Sequence, residues 1–378
     1  MHTPLVRLFA LAALSSLPVL AQNTGIALNA TVDGYVEVPY SAAVVPQTGI
    51  TVEAWITYDD ATLPTGWRYP TLVRQGISVG GSEDYFLRIN ADNIGARVLR
   101  WKVVTANGGS VQVNWTFTAG QLNTWTHVAA TYNGATAALY INGQQVGTAV
   151  GNGSPIRDLN SEVLRIGKGS DVATPIEVWN GQIDEVRLWP FARTQGEIQQ
   201  TMNYALNSVP GVVSTWNLDG HLLDTSGGQH ATSSGQVTFT PNTLSLTTLA
   251  APSGFPSGTS TPGCLGPLAM SFGSLPQAGN LDFAAVCTQA PANAPALFAV
   301  AFQTAAAPLP VAGINYYLDP TSSILTFTTA NAFGVARLPV GLPAWIGAGF
   351  SLAFQVGFID PCGPQGITAS NALAVITQ

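Results

Sequence analysis

Two Asn-Gly pairs, Asn133-Gly134 and Asn142-Gly143, punctuate one continuous run from Thr126 to Thr148. Asn and Gly tolerate the positive φ angles of a two-residue hairpin turn, so the run reads as three antiparallel strands joined by two tight turns. The segments between the turns (Thr126–Tyr132, Thr136–Ile141 and Gln144–Thr148) are rich in Val, Thr, Tyr and Ile, which suit a pleated, half-buried surface. The same alternation recurs at Ile50–Tyr58, Arg97–Val104, Val111–Phe117 and Gly181–Trp189. Later in the chain, Leu281–Val286, Ala296–Phe302, Ile314–Leu318, Ile324–Thr328 and Phe350–Phe358 extend it. One helix is predicted, at about residues 195–205: Thr194 and Glu197 have capping-box spacing, and Ile198, Met202 and Leu206 form one apolar stripe. Many short strands and one helix predict an all-β chain of sandwich type.

Charge divides the chain. Only 9% of the 378 residues are charged, against a usual level of about 25%. Residues 22–250 hold 17 acids and 11 bases, whereas residues 264–378 hold three acids and one base. Between them, residues 250–263 are rich in Pro, Gly, Ser and Thr and read as a linker. The predicted organisation is a signal peptide at 1–21, a larger β domain at 22–249, the linker at 250–263 and a smaller β sandwich at 264–378. A net charge of −7 argues against a nucleic-acid partner, which needs clustered cations. Abundant apolar residues exclude ordinary disorder.

Residues 1–21 combine Arg7, an apolar run from Leu8 to Leu20, and Val19 and Ala21 at the −3 and −1 positions of a small-residue cleavage site, the pattern of an export signal. The run is shorter than the roughly 20 residues that span a bilayer, so no transmembrane segment is expected after cleavage. Export predicts an oxidising location, secreted or at the cell surface. The three cysteines, Cys264, Cys287 and Cys362, form no CxxC pair, which leaves one disulfide and one thiol. A bridge that includes Cys362 is favoured, because Cys362 sits in the turn Asp360-Pro-Cys-Gly-Pro364; sequence alone leaves its partner open.

The larger domain resembles the laminin-G-like / concanavalin A-like jelly-roll family. The resemblance spans roughly residues 24–245 and rests on segments in the family's order. These are Leu28–Val38, Val52-Glu-Ala-Trp-Ile56, Trp125–Tyr132 with Leu139-Tyr-Ile-Asn-Gly143, Gly181–Trp189 and the Glu197-Ile198 helix. Ser214–Gly220 and Leu223–Thr232 also fit, although the family often places that segment first. Residues 264–378 resemble a C-terminal domain that recurs in secreted bacterial proteins, through Asn280–Phe283, Ala290–Phe298, Tyr317-Leu-Asp-Pro320 and Phe354–Pro361. That domain carries no activity to transfer. It often has a cysteine before its Tyr-Leu-Asp-Pro strand, which is missing here.

The resemblance implies a concanavalin A-like jelly roll with a non-catalytic binding role towards a glycan or an extracellular protein. The alternative is a structural or adhesive surface component without a specific small ligand. A polysaccharide hydrolase ranks last. Retaining chemistry needs two carboxyls about 5–5.5 Å apart, and the adjacent Asp184 and Glu185 are expected on opposite faces of one strand. Among possible bases, His127 alternates with Val128 in a strand, which suits a structural, hydrogen-bonded histidine, and His221 follows Asp-Gly in a turn. Trp67, Tyr69, Tyr85 and Trp179 are the candidate aromatic platforms for a sugar, weighed against ordinary packing. The family's counterpart of Asp184 often binds a structural Ca2+, so Asp184, with Asp33 and carbonyls of the Asn29–Gly34 loop, is the candidate calcium site.

Overall fold

The computed structural model describes residues 23–59, 68–77, 82–91, 97–172, 177–248 and 254–378. The expected signal peptide and Trp67 lie outside them. Residues 23–248 form a sandwich of two antiparallel sheets. The eight-stranded sheet runs Gln144–Val150, Thr136–Ile141, Thr126–Tyr132, Ile50–Ile56, Gly181–Trp189, Thr24–Leu28 and Thr238–Pro241, with Ser214–Trp216 also paired to Gly181–Trp189. The seven-stranded sheet runs Thr232–Gly235, Gly34–Val38, Leu164–Ile166, Thr71–Gln75, Tyr85–Ala91, Arg97–Val104 and Ser110–Thr116. Alternation along the strands sends Val52, Ile56, Val128 and Leu139 from one sheet against Val36, Leu87, Leu99 and Ile166 from the other. Trp101 spans the gap between sheets and donates its indole N–H to the Thr131 carbonyl at 3.0 Å.

The Asn142-Gly143 turn has positive φ at both residues, as the two-residue hairpin requires. The Asn133-Gly134 turn differs from expectation. Only Gly134 has positive φ, and the Asn133 side chain accepts from the N–H groups of Ala135 and Thr136, which makes a wider loop. The helix covers Gln195–Thr201 with the expected Thr194–Glu197 capping box. It is shorter than predicted because the chain turns at Met202 and enters a short strand, Tyr204–Ala205, paired with Thr247–Thr248.

The second sandwich opposes a six-stranded sheet to a three-stranded one. The first contains Gly254–Ser257, Ala372–Ile376, Ser351–Ile359, Pro295–Ala301 and Ile324–Thr329, with Ile367–Ala369 beside Ser351–Ile359. The second contains Ala269–Phe272, Ala284–Thr288 and Ala336–Pro339, and a separate hairpin joins Thr304–Val311 to Ile314–Leu318. Cys264 and Cys362 form the disulfide; the Asp360 carboxylate accepts the backbone N–H of both at 3.1 and 2.9 Å. Cys287 is free and buried in the core. The expected linker needs correction, since Gly254–Ser257 is an edge strand against Ala372–Val375 and Thr261 bridges Ala369. Pro256 hid this strand in the sequence, and an edge position is where a sheet tolerates proline.

The two sandwiches share a core. Trp189, Phe191, Leu206, Val209 and Val212 of the first pack in one buried cluster with Phe272, Phe283 and Phe354 of the second. Arg193 Nε donates to the Gly273 carbonyl at 2.9 Å, and Arg337 pairs with Glu197 and donates to the Ala192 carbonyl at 2.8 Å. A Cβ at Gly134 would fall 1.8 Å from the Phe333 ring, so this hairpin is shaped to the second unit. The sequence reading of two independent units is corrected here: the units meet through buried apolar side chains, not through a strap.

Candidate functional site

The seven-stranded sheet turns one face to the core and the other outward. In Tyr85–Ala91, the core takes Tyr85, Leu87 and Ile89, so Phe86, Arg88 and Asn90 point outward. In Arg97–Val104, Leu99, Trp101 and Val103 point in, leaving Val98, Arg100 and Lys102 outward. Register then sets two rows across the outer face. Glu37, Arg165, Arg74, Phe86, Lys102 and Gln112 form one, and Arg88, Arg100 and Asn114 form the next.

The first row is electrically closed. Glu37 meets Arg165 at 3.0 Å, and Asp171 meets the same guanidinium at 2.6 Å. Glu83 lies 2.9 Å from Lys102 and 3.6 Å from Arg74, and Glu177 lies 3.7 Å from Arg74. Burial alone would raise the Glu83 carboxyl, but its bond from Lys102 leads the effects that hold it below the ordinary value; hydrogen bonding from Arg165 does the same for Asp171. In the second row, the Arg88 guanidinium lies 4.5 Å from the Tyr69 ring centre and 4.2 Å from that of Phe86. Its Nε donates to Asn90 Oδ1 at 3.0 Å, and Arg100 Nε donates to Asn114 Oδ1 at 2.9 Å.

The aromatic candidates separate by place. Tyr69 sits on this outer face, partly exposed. Tyr85 and Trp179 are fully buried in the core between the sheets. The Tyr85 hydroxyl donates to the Val44 carbonyl at 2.6 Å, and Trp179 donates to the Thr57 carbonyl at 2.9 Å. Neither offers a ring to solvent, which corrects their candidacy. Trp67 lies outside the described residues. Arg88, Arg100, Asn90 and Asn114 were not singled out from sequence, although the inward Leu99 and Trp101 already place Arg100 and Lys102 on the opposite face.

The outer face of the eight-stranded sheet is different, being covered by the helix and the second sandwich. Glu53 Oε1 accepts from Arg193 at 2.7 Å and from the Trp189 indole at 2.8 Å. Arg187 lies 3.8 Å from Glu53 and 2.8 Å from Glu185. Burial would raise the Glu53 carboxyl, but Arg193 and then Arg187 outweigh it and hold it low. His127 is fully buried 3.6 Å from Glu53, and burial depresses it to about 4, so it is neutral at pH 7. Its Nδ1 finds no hydrogen-bond partner, unlike the satisfied histidine expected.

Asp184 and Glu185 depart from the expected opposite-face arrangement. The register slips between Asp184 and Arg187, and Glu185 has φ of 51°. This β-bulge leaves both acids on the non-core side, between the inward Ile183 and Val186. Burial, with the charges of Glu185 and Asp219, raises Asp184 to about 8, and burial, opposed by Arg187 and helped by Asp219, raises Glu185 to about 7. Both are closed off from solvent, with relative exposures of 0% and 1%, so no substrate reaches them.

The calcium pairing is also corrected. Asp184 accepts N–H groups from Asn242 at 2.8 Å, Asn23 at 3.2 Å and the Glu185 backbone at 2.8 Å. Asn242 cannot turn its oxygen to Asp184, because its Oδ1 already accepts from Asn23 and Leu244. Asp33 is held instead by Lys168 at 2.8 Å. Ca2+ needs six to eight oxygens, and donors surround Asp184, so these residues do not fit the ion.

Residues 29–199 match the model of the family described as Concanavalin A-like lectin/glucanases superfamily. Among solved structures, a Bacteroides ovatus protein described as carbohydrate binding shares 18% identity at a TM-score of 0.44, over 60% of this chain and 62% of that one. The chain thus spans less than two thirds of that protein's length. A heptameric SAP-like pentraxin from Limulus polyphemus shares 16% identity at a TM-score of 0.40, over 60% of this chain and 99% of that one. No curated protein matches significantly.

Proposed function

We propose that this chain is an exported, non-catalytic glycan-binding protein whose contact surface is the outer face of the seven-stranded sheet. The observation that carries this reading is the combination of Tyr69, Arg88, Asn90, Arg100 and Asn114, each at least partly exposed, on one outer face. Sugars are recognised by partly exposed aromatic surface with planar amide and guanidinium donors beside it. The superfamily match and the carbohydrate-binding description of the Bacteroides ovatus protein agree with it.

Charge opposes a catalytic role. A general acid needs a raised pKa near an ionised partner. On the outer face, Glu37, Glu83, Glu177, Asp171 and Asp33 are each paired with Arg or Lys. Among the described residues the raised carboxyls, Asp84, Asp184 and Glu185, are all buried. Export is supported by the Cys264–Cys362 disulfide; among the described residues no helix is long and apolar enough to cross a membrane. A glycan array probed with the intact chain tests the reading. Binding that Tyr69→Ala removes while the melting curve stays unchanged supports it; binding indifferent to Tyr69→Ala refutes the assigned face.

A second reading, adhesion through an apolar surface, rests on the second sandwich. A groove of about 670 Å³ is lined by Leu297, Leu309, Val311, Leu325 and Phe327, and Phe327 is 81% exposed on an edge strand. Such a surface in a nearly uncharged unit favours association. Self-association abolished by Phe327→Asp would favour this role.

A further inference from the structure

Arg88 and Arg100 are direct register partners on neighbouring strands, with Asn114 next in the row. Like charges placed opposite each other across a ladder destabilise it unless something neutralises them. Every cation of the first row, by contrast, is neutralised in place: Arg165 by Glu37 and Asp171, and Arg74 and Lys102 by Glu83, with Glu177 also on Arg74. Neither Arg88 nor Arg100 meets a carboxylate within ion-pair distance among the described residues. Each donates its Nε to an asparagine oxygen, which fixes the plane of the guanidinium and leaves its Nη fork to be filled. Arg88 is further clamped between the rings of Tyr69 and Phe86. The result is two oriented forks side by side with no ion-paired carboxylate among the described residues, Glu177 acting on Arg88 only from beyond that distance, in a chain of net charge −7.

We infer that Arg88 and Arg100 form a subsite for an anionic group, carboxylate or sulfate, carried by the glycan. This rests on the glycan-binding reading of the same face. Planar guanidinium forks match such oxyanions in bidentate fashion. The bound anion also relieves the repulsion between the two arginines, so part of the affinity is electrostatic and falls as salt screens it.

Four probes test this: polygalacturonate against its fully methyl-esterified form, and dextran sulfate against dextran. Each pair shares a backbone and differs in charge. Retention of the intact chain on at least one charged member, but not on its neutral twin, is expected; which pair responds distinguishes carboxylate from sulfate. Arg100→Gln is expected to weaken that binding about tenfold or more, the loss of a charge-assisted hydrogen bond, with an unchanged melting curve because the side chain lies at the surface. Arg100→Lys is expected to recover only part, since an ammonium lacks the fork. Arg88→Gln should act in the same direction. Equal binding to charged and neutral twins, or wild-type binding by both glutamine variants, overturns the anionic subsite. Tyr69→Ala then decides the glycan face by itself on the neutral probes. Failure to bind any of the four overturns the subsite too, and the array separately decides the broader reading.

Discussion

Removing residues 254–378 is expected to destabilise the first sandwich rather than release it intact. The cut uncovers Trp189, Phe191, Leu206, Val209 and Val212, whose exposures in the whole chain are 0, 1, 0, 5 and 8%. Full burial of each such side chain is worth about 1.5–3 kcal/mol. The first unit and its helix still cover part of their surface, so the loss is taken as about half, roughly 4–7 kcal/mol. That approaches the whole stability of an ordinary domain, about 5–15 kcal/mol. The cut also strips Arg193 of the Gly273 carbonyl and Glu197 of Arg337, in a region where Arg193 and Glu53 are completely buried. Calorimetry of fragment 23–253 against the full chain, with an apolar dye, measures the effect. A melting temperature lower by ten degrees or more and new dye binding are expected. A fragment that melts like the first unit of the full chain, binds no dye and stays monomeric refutes the shared-core reasoning.

Stability should also depend on pH. Asp184 and Glu185 hold protons when folded up to about 8 and about 7, whereas the unfolded chain releases them near 4. Their contribution is complete below that value and is lost as pH rises towards 8. His127, depressed to about 4 by burial, acts oppositely and loses its contribution as pH falls from about 6.5. Between pH 6.5 and 8 the carboxyls dominate, so the melting temperature should fall with rising pH, and Asp184→Asn should flatten the fall; EDTA should leave the curve unchanged. A flat wild-type profile contradicts this. Glu53→Gln leaves Arg193 and Arg187 buried without their counter-charge and should cost about 3–5 kcal/mol in denaturant unfolding; less than 1 kcal/mol contradicts the network. Replacing Cys264 and Cys362 together by Ser opens a crosslink across 98 residues and should cost about 4 kcal/mol. Cys287, whose thiol burial pushes up, should stay unreactive until the chain unfolds.

The strands of the first sandwich were legible because β-branched alternation and Asn-Gly turns act locally. Thr126–Tyr132, Thr136–Ile141, Arg97–Val104 and Gly181–Trp189 fall where sequence puts them. What escaped depended on tertiary pairing. Gly254–Ser257 looked like linker because only its partner strand makes it a strand. The bulge at Asp184 and Glu185 reversed a simple odd–even argument, since one inserted residue moves a side chain across the sheet. Asp184 and Asp33 resembled a calcium pair until Asn23, Asn242 and Lys168, distant in sequence, proved to hold them. The proposed binding face is half legible: Tyr69 is an aromatic near a loop, but Arg88 and Arg100 become a pair only through register.

Hydrogen exchange of the intact chain, with and without the strongest saccharide found on the array, tests the central claim most directly. Slowed exchange is expected in Tyr85–Ala91 and Arg97–Val104, and along Ser110–Thr116 beside them, with little change in the second sandwich. Protection confined to the groove of Leu297 and Phe327, or to the cleft between the two units, would contradict the assignment of the glycan to the outer face of the seven-stranded sheet.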